Sequence, residues 1–491
     1  MINRNKLLFK KTNLWNHEIF LVDFLIVPLV FFAAAYFIFN RFLKINFFLD
    51  DINYLNGLKI LVETRGDFYS FIRDFAMRGV AFKPMSLGVD WIVNFKLFGL
   101  NPYGYHLFNI VLLSINSFLI YLFIAISFRL RLLGFVISFC YLVHPFNTDG
   151  IAWVSGGFTS QNVVGFFCLT LITYYFYLQK HKKIFLIGSY LLFTCAFLSR
   201  EDAIMWPFLM VFFLLFLGYL HKARAKEVLG YLVIVLLVMA TRYWLLYPKV
   251  YEIYRWDFTN IQNAFFRNNY YINLALSPLK SLFGKVDFLE KYKILLMLSK
   301  TIYFLLVPFA AYMIYKYRKT DEVKLLGFGL VWYCLFSAPF NFMFGQEFLH
   351  DRYISMSIIG ILMAQVAVIT LILKTVLKNN ICIKFLLLCF VPVLLLTCNY
   401  MVIDKFSYSH WRQYSINTQS YIASINIAIK NNPSIKNINL IGFPAIVKLS
   451  ELLSLYPDYK DIKFAEVDNE ENNGENKESV FTVKYRQIIQ D

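Results

Sequence analysis

Residues 47–55 read FFLDDINYL and place two adjacent aspartates, Asp50 and Asp51, directly after a long apolar stretch. One explanation of the pair is ordinary, because any loop that leaves a membrane helix becomes polar. The other is functional, since a carboxylate at a membrane surface can accept a proton from an attacking hydroxyl group. The topology of the chain decides between the two explanations.

The composition is that of a membrane protein. Charged residues make up only 16% of the 491 positions, whereas they reach about 25% in soluble globular proteins. The net charge of +17 would suggest a nucleic-acid partner in a soluble chain, but basic cytoplasmic loops and anionic lipids account for it here. The seven cysteines show no C-x-x-C spacing, so neither a zinc site nor a disulfide framework is indicated.

Apolar runs of about 20 residues predict membrane-spanning helices. We predict an all-α polytopic membrane protein with eleven spans, at 19–40, 105–127, 132–147, 160–178, 184–200, 203–220, 229–247, 293–315, 324–343, 354–374 and 382–402. Lys and Arg collect in every second connecting segment. Short basic loops belong in the cytoplasm, so the N-terminus is predicted inside and the C-terminus outside.

This alternation brings ionisable residues from several outer segments to one membrane surface, namely Asp50, Asp51, His144, Asp149, Glu201, Asp202 and Arg352. Charges at a membrane edge are costly and usually functional. In the first outer loop, 41–104, apolar positions within Phe68–Phe75 follow the i, i+3, i+4, i+7 pattern. They predict an amphipathic helix at the membrane surface.

The tail after residue 402 changes character. WRQYSINTQSYIASINIAIK (411–430) and 445–456 suggest helices, and NINLIGF (437–443), IKFAEV (462–467) and VFTVKYR (480–486) suggest strands. We therefore predict a transmembrane domain at 1–402 and a small extracytoplasmic α/β domain at 403–491.

The motifs of several soluble enzymes and pumps do not occur. The chain has no G-x-x-x-x-G-K-[ST], no H-E-x-x-H and no G-x-S-x-G. The absence of the first motif, the phosphate-binding P-loop, argues against an ATP-driven pump. The outward carboxylates and cations suit an anionic, lipid-linked substrate, because cations hold a phosphate. Each group alone also has an ordinary explanation: Asp50 and Asp51 as a solvated pair, Arg200–Asp202 as a polar turn, His144 as a structural histidine and Arg352 as a snorkelling anchor.

Taken in order, the motifs point to a family. The stretches DD, FKPMSLGVDWIVNFKLFGLNPYGYHLFNIVLL, HPFNTDGIAWVSGG, LSRED and DRYISMSIIG resemble the GT-C superfamily of polytopic glycosyltransferases. The likeness is greatest to the protein-O-mannosyltransferase-like branch, which includes the transmembrane, tetratricopeptide-bearing mannosyltransferases. It covers roughly 47–203 and 351–360, and LFGLNPYGYHLFNIVL and HPFNTDGIAWVSG are its most specific parts.

The resemblance implies an inverting transfer of a sugar from a polyprenyl-phosphate-linked donor to an acceptor hydroxyl on the outer face. Asp50 would be the general base, with Asp51 to support or orient it. Arg352 would stabilise the leaving phosphate, with Lys83 and Arg200 as further candidates. Other matched positions would shape the pocket: His106, His144, Asp149 and Glu201.

The chain departs from the family pattern at several positions. Lys83 stands where the family usually has Arg, Arg200 where it has Lys, Asp149 and Asp351 where it has Glu, and Phe158 where it has Arg. No tetratricopeptide array follows. The identity of the sugar and of the acceptor, whether glycan, lipid or protein, therefore stays open.

The implied partners are the lipid-linked donor, the acceptor and membrane lipids, with no nucleic acid. No cofactor is certain; Asp50, Asp51 and Glu201 could share a divalent ion, although related branches work without one. Low Gly and Pro with high Phe, Ile, Asn and Lys suggest an AT-rich bacterial genome, which would place the chain in a bacterial inner membrane with a periplasmic C-terminus.

Two other readings of the motifs remain. An O-antigen polymerase or ligase, or a lipid A modifier, is expected to hold its catalytic residues in a late outer loop, whereas the acids here cluster in the first. A lipid-linked-sugar flippase or transporter favours inverted repeats and charges near the bilayer midplane. The chain shows no such repeat, and Asp23 inside the first span is the one feature that suits transport.

Overall fold

The computed structural model describes residues 17–48, 50–63, 83–220, 224–246, 312, 315–317, 320–343, 355–377, 382–383, 386–403, 411–412, 415, 422–423, 425–427, 429–431, 437–441, 453, 462–467 and 480–484. The described chain up to residue 403 is helical apart from short connections. Its apolar runs contain few helix-breaking residues, and a helix satisfies every backbone group without water.

The helices are α1 His17–Phe39, α2 Asp50–Glu63, α3 Asp90–Phe98, α4 Pro102–Ser127, α5 Arg131–Leu142, α6 Asn147–Ala152, α7 Val154–Lys180, α8 Lys183–Phe197, α9 Trp206–Leu217, α10 Ala225–Leu246, α11 Asp321–Met343, α12 Ser355–Leu377 and α13 Val391–Val402. A short π-helix, Pro84–Val89, leads into α3, and a 3-10 turn, Glu201–Met205, leads into α9.

The predicted spans that fall on described residues overlap these helices, so their helical character is confirmed. Within the described residues, four stretches are long and apolar enough to cross a membrane: Asp23–Lys44, Pro102–Ser127, Val154–Lys180 and Ser355–Thr375. Shorter apolar helices are Arg131–Leu142 and Lys183–Phe197. The described chain up to residue 403 thus has the all-α fold of a membrane protein. The total of eleven spans stays a prediction.

The contacts between helices sort into two ends of the bundle. At one end, which we call the Asp50 end, segments from predicted outer loops meet: 45–51, 83–86, 151–155 and 198–202. At the other, which we call the opposite end, predicted cytoplasmic segments meet, as where Arg131 pairs with Asp23. The grouping agrees with the predicted alternation; which end faces outward stays a prediction.

A buried aromatic core holds the helices between these ends. The ring of Trp206 on α9 lies 4.1 Å from that of Phe167 on α7, edge to face, and Phe167 lies 5.4 Å from Trp332 on α11. A smaller apolar cluster supports the Asp50 end, where Trp91 on α3 contacts Tyr105 on α4 at 5.3 Å. Such aromatic pairs add to the stabilisation from burial alone.

The tail contains the three predicted strands: β1 Asn437–Ile441, β2 Lys463–Val467 and β3 Val480–Lys484. They form a parallel sheet in the order β2-β1-β3. That these strands belong to a separate domain spanning 403–491 stays a prediction.

Several predicted features lie outside the described residues. They are the amphipathic helix at Phe68–Phe75, the outer loop 248–292, most of the span 293–315, Arg352, and most of the predicted helix 445–456.

Candidate active site

The two aspartates of the opening stretch have different environments. Both begin α2, where acids are favoured because they face the positive end of the helix dipole. Asp50 is exposed. Asp51 is fully buried, and its oxygens accept hydrogen bonds from the backbone N–H groups of Val154 at 3.2 Å and Ser155 at 2.8 Å.

Asp51 thus binds the N-terminus of α7, whose first N–H groups have no partner within the helix. Burial raises the pKa of Asp51 to about 7, against the opposing effect of the hydrogen bonds from Ser155, Val154 and Phe48. The buried aspartate fixes α2 to the bundle. Its neighbour Asp50 is left at the surface with a carboxyl group available to a substrate.

Lys83 and Glu201 form an ion pair across the Asp50 end. The π-helix that follows Lys83 lies against the end of α8: Ser86 Oγ donates to the carbonyl oxygen of Ser199 at 3.0 Å. This contact brings Lys83 Nζ to 2.9 Å from Glu201 Oε2. Burial would raise the pKa of Glu201, but the charges of Lys83 and Arg242 outweigh it and lower that pKa to about 2, so Glu201 is ionised.

Arg200 is buried and joins two helices to the 3-10 turn. Its Nη2 lies 2.9 Å from Asp202 Oδ2, and its Nη1 donates to Ser355 Oγ at 2.9 Å, at the start of α12. Burial raises the pKa of Asp202, while the charge of Arg200 opposes that rise. Arg352 precedes Ser355 by three positions in the sequence and lies outside the described residues.

Arg242, on α10, is a candidate that the sequence analysis missed. It is 3% exposed; its Nη2 donates to the carbonyl oxygen of Phe197 at 2.6 Å, and its guanidinium lies 4.9 Å from the centre of the Phe197 ring. Among described residues its Nε and Nη1 have no hydrogen-bond partner. A single arginine inside the apolar run 225–246 was the available signal, because such charges are usually functional.

Asp90 is a second missed residue. It begins α3, and Asn162 Nδ2 on α7 donates to its Oδ2 at 2.5 Å. Burial raises the pKa of Asp90 to about 8, opposed by that hydrogen bond. Its signal was an acid inside FKPMSLGVDW, one of the stretches that carry the family resemblance.

The predicted histidines are buried among backbone groups. His106 has Nδ1 at 2.7 Å from the carbonyl oxygen of Ile151 and Nε2 at 2.9 Å from that of Ile45. It therefore joins α4 to the segment before α2 and to α6. His144 is 2% exposed, and its Nδ1 accepts from Phe146 N at 3.3 Å.

Asp149 and Gly157 shape the approach to α7. Asp149 is half-buried on the first turn of α6, and its carbonyl oxygen accepts from Trp153 N at 3.0 Å. Gly157 packs so closely that an added Cβ would clash with the Gly150 carbonyl oxygen and with Asn109. The glycine thus permits the close contact of α7 with α4 and α6.

The described residues contain no group of three or more His, Cys, Asp and Glu side chains arranged to hold a metal. Asp51 already uses both oxygens on the N–H groups of α7. The described donors therefore do not fit the shared ion suggested for Asp50, Asp51 and Glu201, and no step below uses a metal.

Part of the chain matches a known protein family. Residues 84–245, about a third of the chain, match the family model of the dolichyl-phosphate-mannose-protein mannosyltransferases, a GT-C type domain. The match confirms the resemblance and supports a membrane glycosyltransferase of the mannosyltransferase type. No curated protein matches the chain.

The matched segment contains most of the site residues described above: His106, His144, Asp149, Arg200, Glu201 and Arg242. It begins one residue after Lys83 and excludes Asp50, Asp51 and Arg352. The proposed base therefore rests on the sequence motif and on its position at the Asp50 end.

Proposed function

We propose that this protein transfers a sugar from a polyprenyl-phosphate-linked donor to an acceptor hydroxyl of a glycan, lipid or protein, with inversion, at the outer face of a bacterial inner membrane. The observation that supports this most is the layout of the Asp50 end. An exposed carboxylate and a cation-rich cluster of buried and half-buried side chains lie at the same end of a membrane bundle.

Asp50 is the general base of the proposed reaction. The acceptor oxygen attacks the anomeric carbon as its proton passes to Asp50, and the bond between that carbon and the phosphate oxygen breaks. The polyprenyl phosphate leaves with the bonding electrons. Asp51 positions Asp50, because its buried carboxyl group attaches the first turn of α2 to the N-terminus of α7.

The cluster of Lys83, Arg200, Glu201, Asp202 and Arg242 is proposed to hold the phosphate. Its three cations face two acids, which leaves one positive charge without an anionic partner within the set. Among the described residues, the Nε and Nη1 atoms of buried Arg242 also have no hydrogen-bond acceptor. A phosphate supplies both the missing charge and the acceptor oxygens, and a planar guanidinium binds it in two places.

Arg352 is proposed to join this cluster, as the family's e-R-Y arginine. The start of α12 at Ser355 receives a hydrogen bond from Arg200, which supports a place for the preceding turn beside the cluster. His106, His144 and Asp149 are proposed to shape the acceptor side of the pocket.

The transporter alternative has less support. Asp23, the acid that favoured it, pairs with Arg131 and accepts a hydrogen bond from Tyr121 Oη at 2.8 Å. That arrangement joins α1, α4 and α5 at the opposite end, and gives the acid a structural role.

A donor panel tests the proposal. The protein, purified in detergent, is mixed with short-chain polyprenyl phosphates bearing mannose, glucose, galactose, N-acetylglucosamine or aminoarabinose, and with an acceptor extract. We expect release of polyprenyl phosphate from one class of donor, dependent on the acceptor. Binding of a lipid-linked sugar without release from any donor would overturn the transferase and favour the flippase.

A further inference from the structure

The helix after the last span lies with one face on the segment that leads to Asp50. The described residues between 411 and 431, namely 411–412, 415, 422–423, 425–427 and 429–431, are helical, and we call these described residues together the tail helix. The positions that recur on one helical face are buried or half-buried: Trp411, Ser415, Ile422, Ile425 and Ile429. Other positions are exposed: Arg412, Ala423, Asn426, Ile427 and Lys430.

The buried face contacts the chain just before α2. The ring of Trp411 lies 5.7 Å from that of Phe48. Ser415 Oγ accepts a hydrogen bond from Asn46 N at 3.3 Å and donates one to the carbonyl oxygen of Lys44 at 3.4 Å. Both Trp411 and Ser415 are more than nine-tenths buried, so the contact excludes water.

These contacts continue into the first turn of α2. The carbonyl oxygen of Phe48 accepts from Asp51 N at 2.9 Å, and Phe48 N donates to Asp51 Oδ2 at 3.5 Å. Further along the tail helix, Ile422 packs on the apolar cluster that contains Ile52 and Leu55 of α2. The tail helix therefore contacts the segment just before Asp50 and the apolar cluster to which α2 contributes.

We propose that the tail helix is a positioning element of the transfer reaction, which clamps the segment 44–58 so that Asp50 stays at the acceptor hydroxyl. The inference rests on the proposed function. Trp411 acts through Phe48 and is a positioning residue, not a catalytic one. The extracytoplasmic tail then contributes to the active site by positioning the segment that carries Asp50.

Trp411→Ala tests the clamp, with Trp411→Phe as the conservative variant and Ile427→Ala as the matched control. Ile427 is on the same helix and 61% exposed. In Trp411→Ala we expect kcat to fall roughly tenfold with the KM for the donor little changed, because a displaced base slows the chemical step alone. Trp411→Phe should recover most of the rate, and Ile427→Ala should match wild type.

Amide hydrogen exchange of residues 44–51 supplies a readout that does not depend on activity. Exchange should be faster in Trp411→Ala, because the segment loses the indole ring that packs on Phe48. If that variant does not fold, exchange should be faster in Ser415→Ala, because the Asn46 N–H loses its acceptor. Unchanged exchange in the variants, or unchanged kcat alongside faster exchange, would overturn the proposal.

Failure of the proposed function gives a different pattern. If wild-type protein transfers from no donor, the transferase is wrong, and exchange alone then decides whether the tail helix clamps this segment. An equal loss of rate in Ile427→Ala and Trp411→Ala would mean a general loss of structure and would also overturn the positioning role.

Discussion

The two ends of the bundle differ in how their charged side chains are paired. At the opposite end, each acid whose side chain the structure describes has a cation beside it: Asp23 with Arg131, Glu227 with Arg224, Asp321 with Lys324, and Glu322 with Lys374. At the Asp50 end, Asp50 is exposed, and Asp51 and Asp90 accept hydrogen bonds from neutral groups. Among the described residues, the Nε and Nη1 atoms of Arg242 have no hydrogen-bond partner.

Glu227 illustrates the opposite end. Its two carboxylate oxygens accept hydrogen bonds from Tyr174 Oη at 2.5 Å and from Tyr177 Oη and Arg224 Nη1, at 2.8 Å and 2.7 Å. The residue joins α10 to α7 with every polar group satisfied. A buried polar network of this kind rigidifies a bundle.

The difference indicates where the molecule performs chemistry. Natural sequences satisfy their buried polar groups, and the exceptions gather at functional sites. The nitrogens of Arg242 that lack a partner among the described residues and the exposed carboxylate of Asp50 are such exceptions, and they suit a phosphate-linked donor and an attacking hydroxyl.

The largest expected effect is that of Asp50→Asn. Removal of a general base should lower kcat by about 10²-fold or more, while donor binding persists. Asp321→Asn is the matched control, because Asp321 also begins a helix and is half-buried, but pairs with Lys324 at the opposite end. Equal rates for the two variants in a polyprenyl phosphate release assay would contradict the functional difference between the two ends. They would also mean that a residue other than Asp50 is the base.

Glu227→Ala should act on stability instead. It leaves Tyr174, Tyr177 and Arg224 without their partner, which costs about 2–3 kcal/mol in the free energy of unfolding. Thermal unfolding in detergent should show a lower Tm, and the folded fraction should retain the wild-type kcat. A fall in kcat without a change in Tm would remove the distinction between the ends.

Arg242→Lys tests whether the guanidinium of Arg242 binds the donor phosphate at two points. Lysine keeps the charge but loses the planar fork, so kcat/KM for the donor should fall roughly tenfold. Arg224→Lys, at the opposite end, provides the control and should leave kcat/KM unchanged. An unaffected Arg242→Lys enzyme would exclude two-point contact with the phosphate.

A separate expected effect is on the pH dependence of stability. Burial raises the pKa of Asp51 to about 7 and of Asp90 to about 8, whereas these groups titrate near 4 in an unfolded chain. The folded state therefore keeps protons that the unfolded state has lost, and stability falls as pH rises from about 4 to about 8.

We expect Tm in detergent to be higher at pH 6 than at pH 9, and Asp51→Asn with Asp90→Asn to weaken that dependence. Asp321→Asn should leave it intact. The same slope in all variants would mean that neither buried carboxyl group controls it.

The sequence predicts the helices and the three strands well, because long apolar runs and short alternating stretches are local patterns. It also identifies DD, LSRED and the histidines as unusual. The residue types alone do not tell Asp50 from Asp51, and only the family motif assigned their different roles. The burial of Asp51 depends on Val154 and Ser155, which lie far away in the sequence. The pairing of Lys83 with Glu201 depends on a similar long-range contact.

Arg242 and Asp90 escaped the sequence analysis for a related reason. Arg242 lies inside an apolar run that predicts a membrane span, so the sequence gives it no separate role. Only the packing of α8 against α10 shows which of its nitrogens lack a hydrogen-bond partner among the described residues. Asp90 stands among residues assigned to a loop, and only the approach of Asn162 on α7 shows that it is held in the bundle.

The central claim is a single displacement at the anomeric carbon, with Asp50 taking the proton of the acceptor. The most direct test is the anomeric configuration of the first product, followed by NMR from a donor of known configuration. The account predicts complete inversion. Retention would contradict it, because retention needs a covalent sugar–enzyme intermediate and therefore a nucleophile in place of a base.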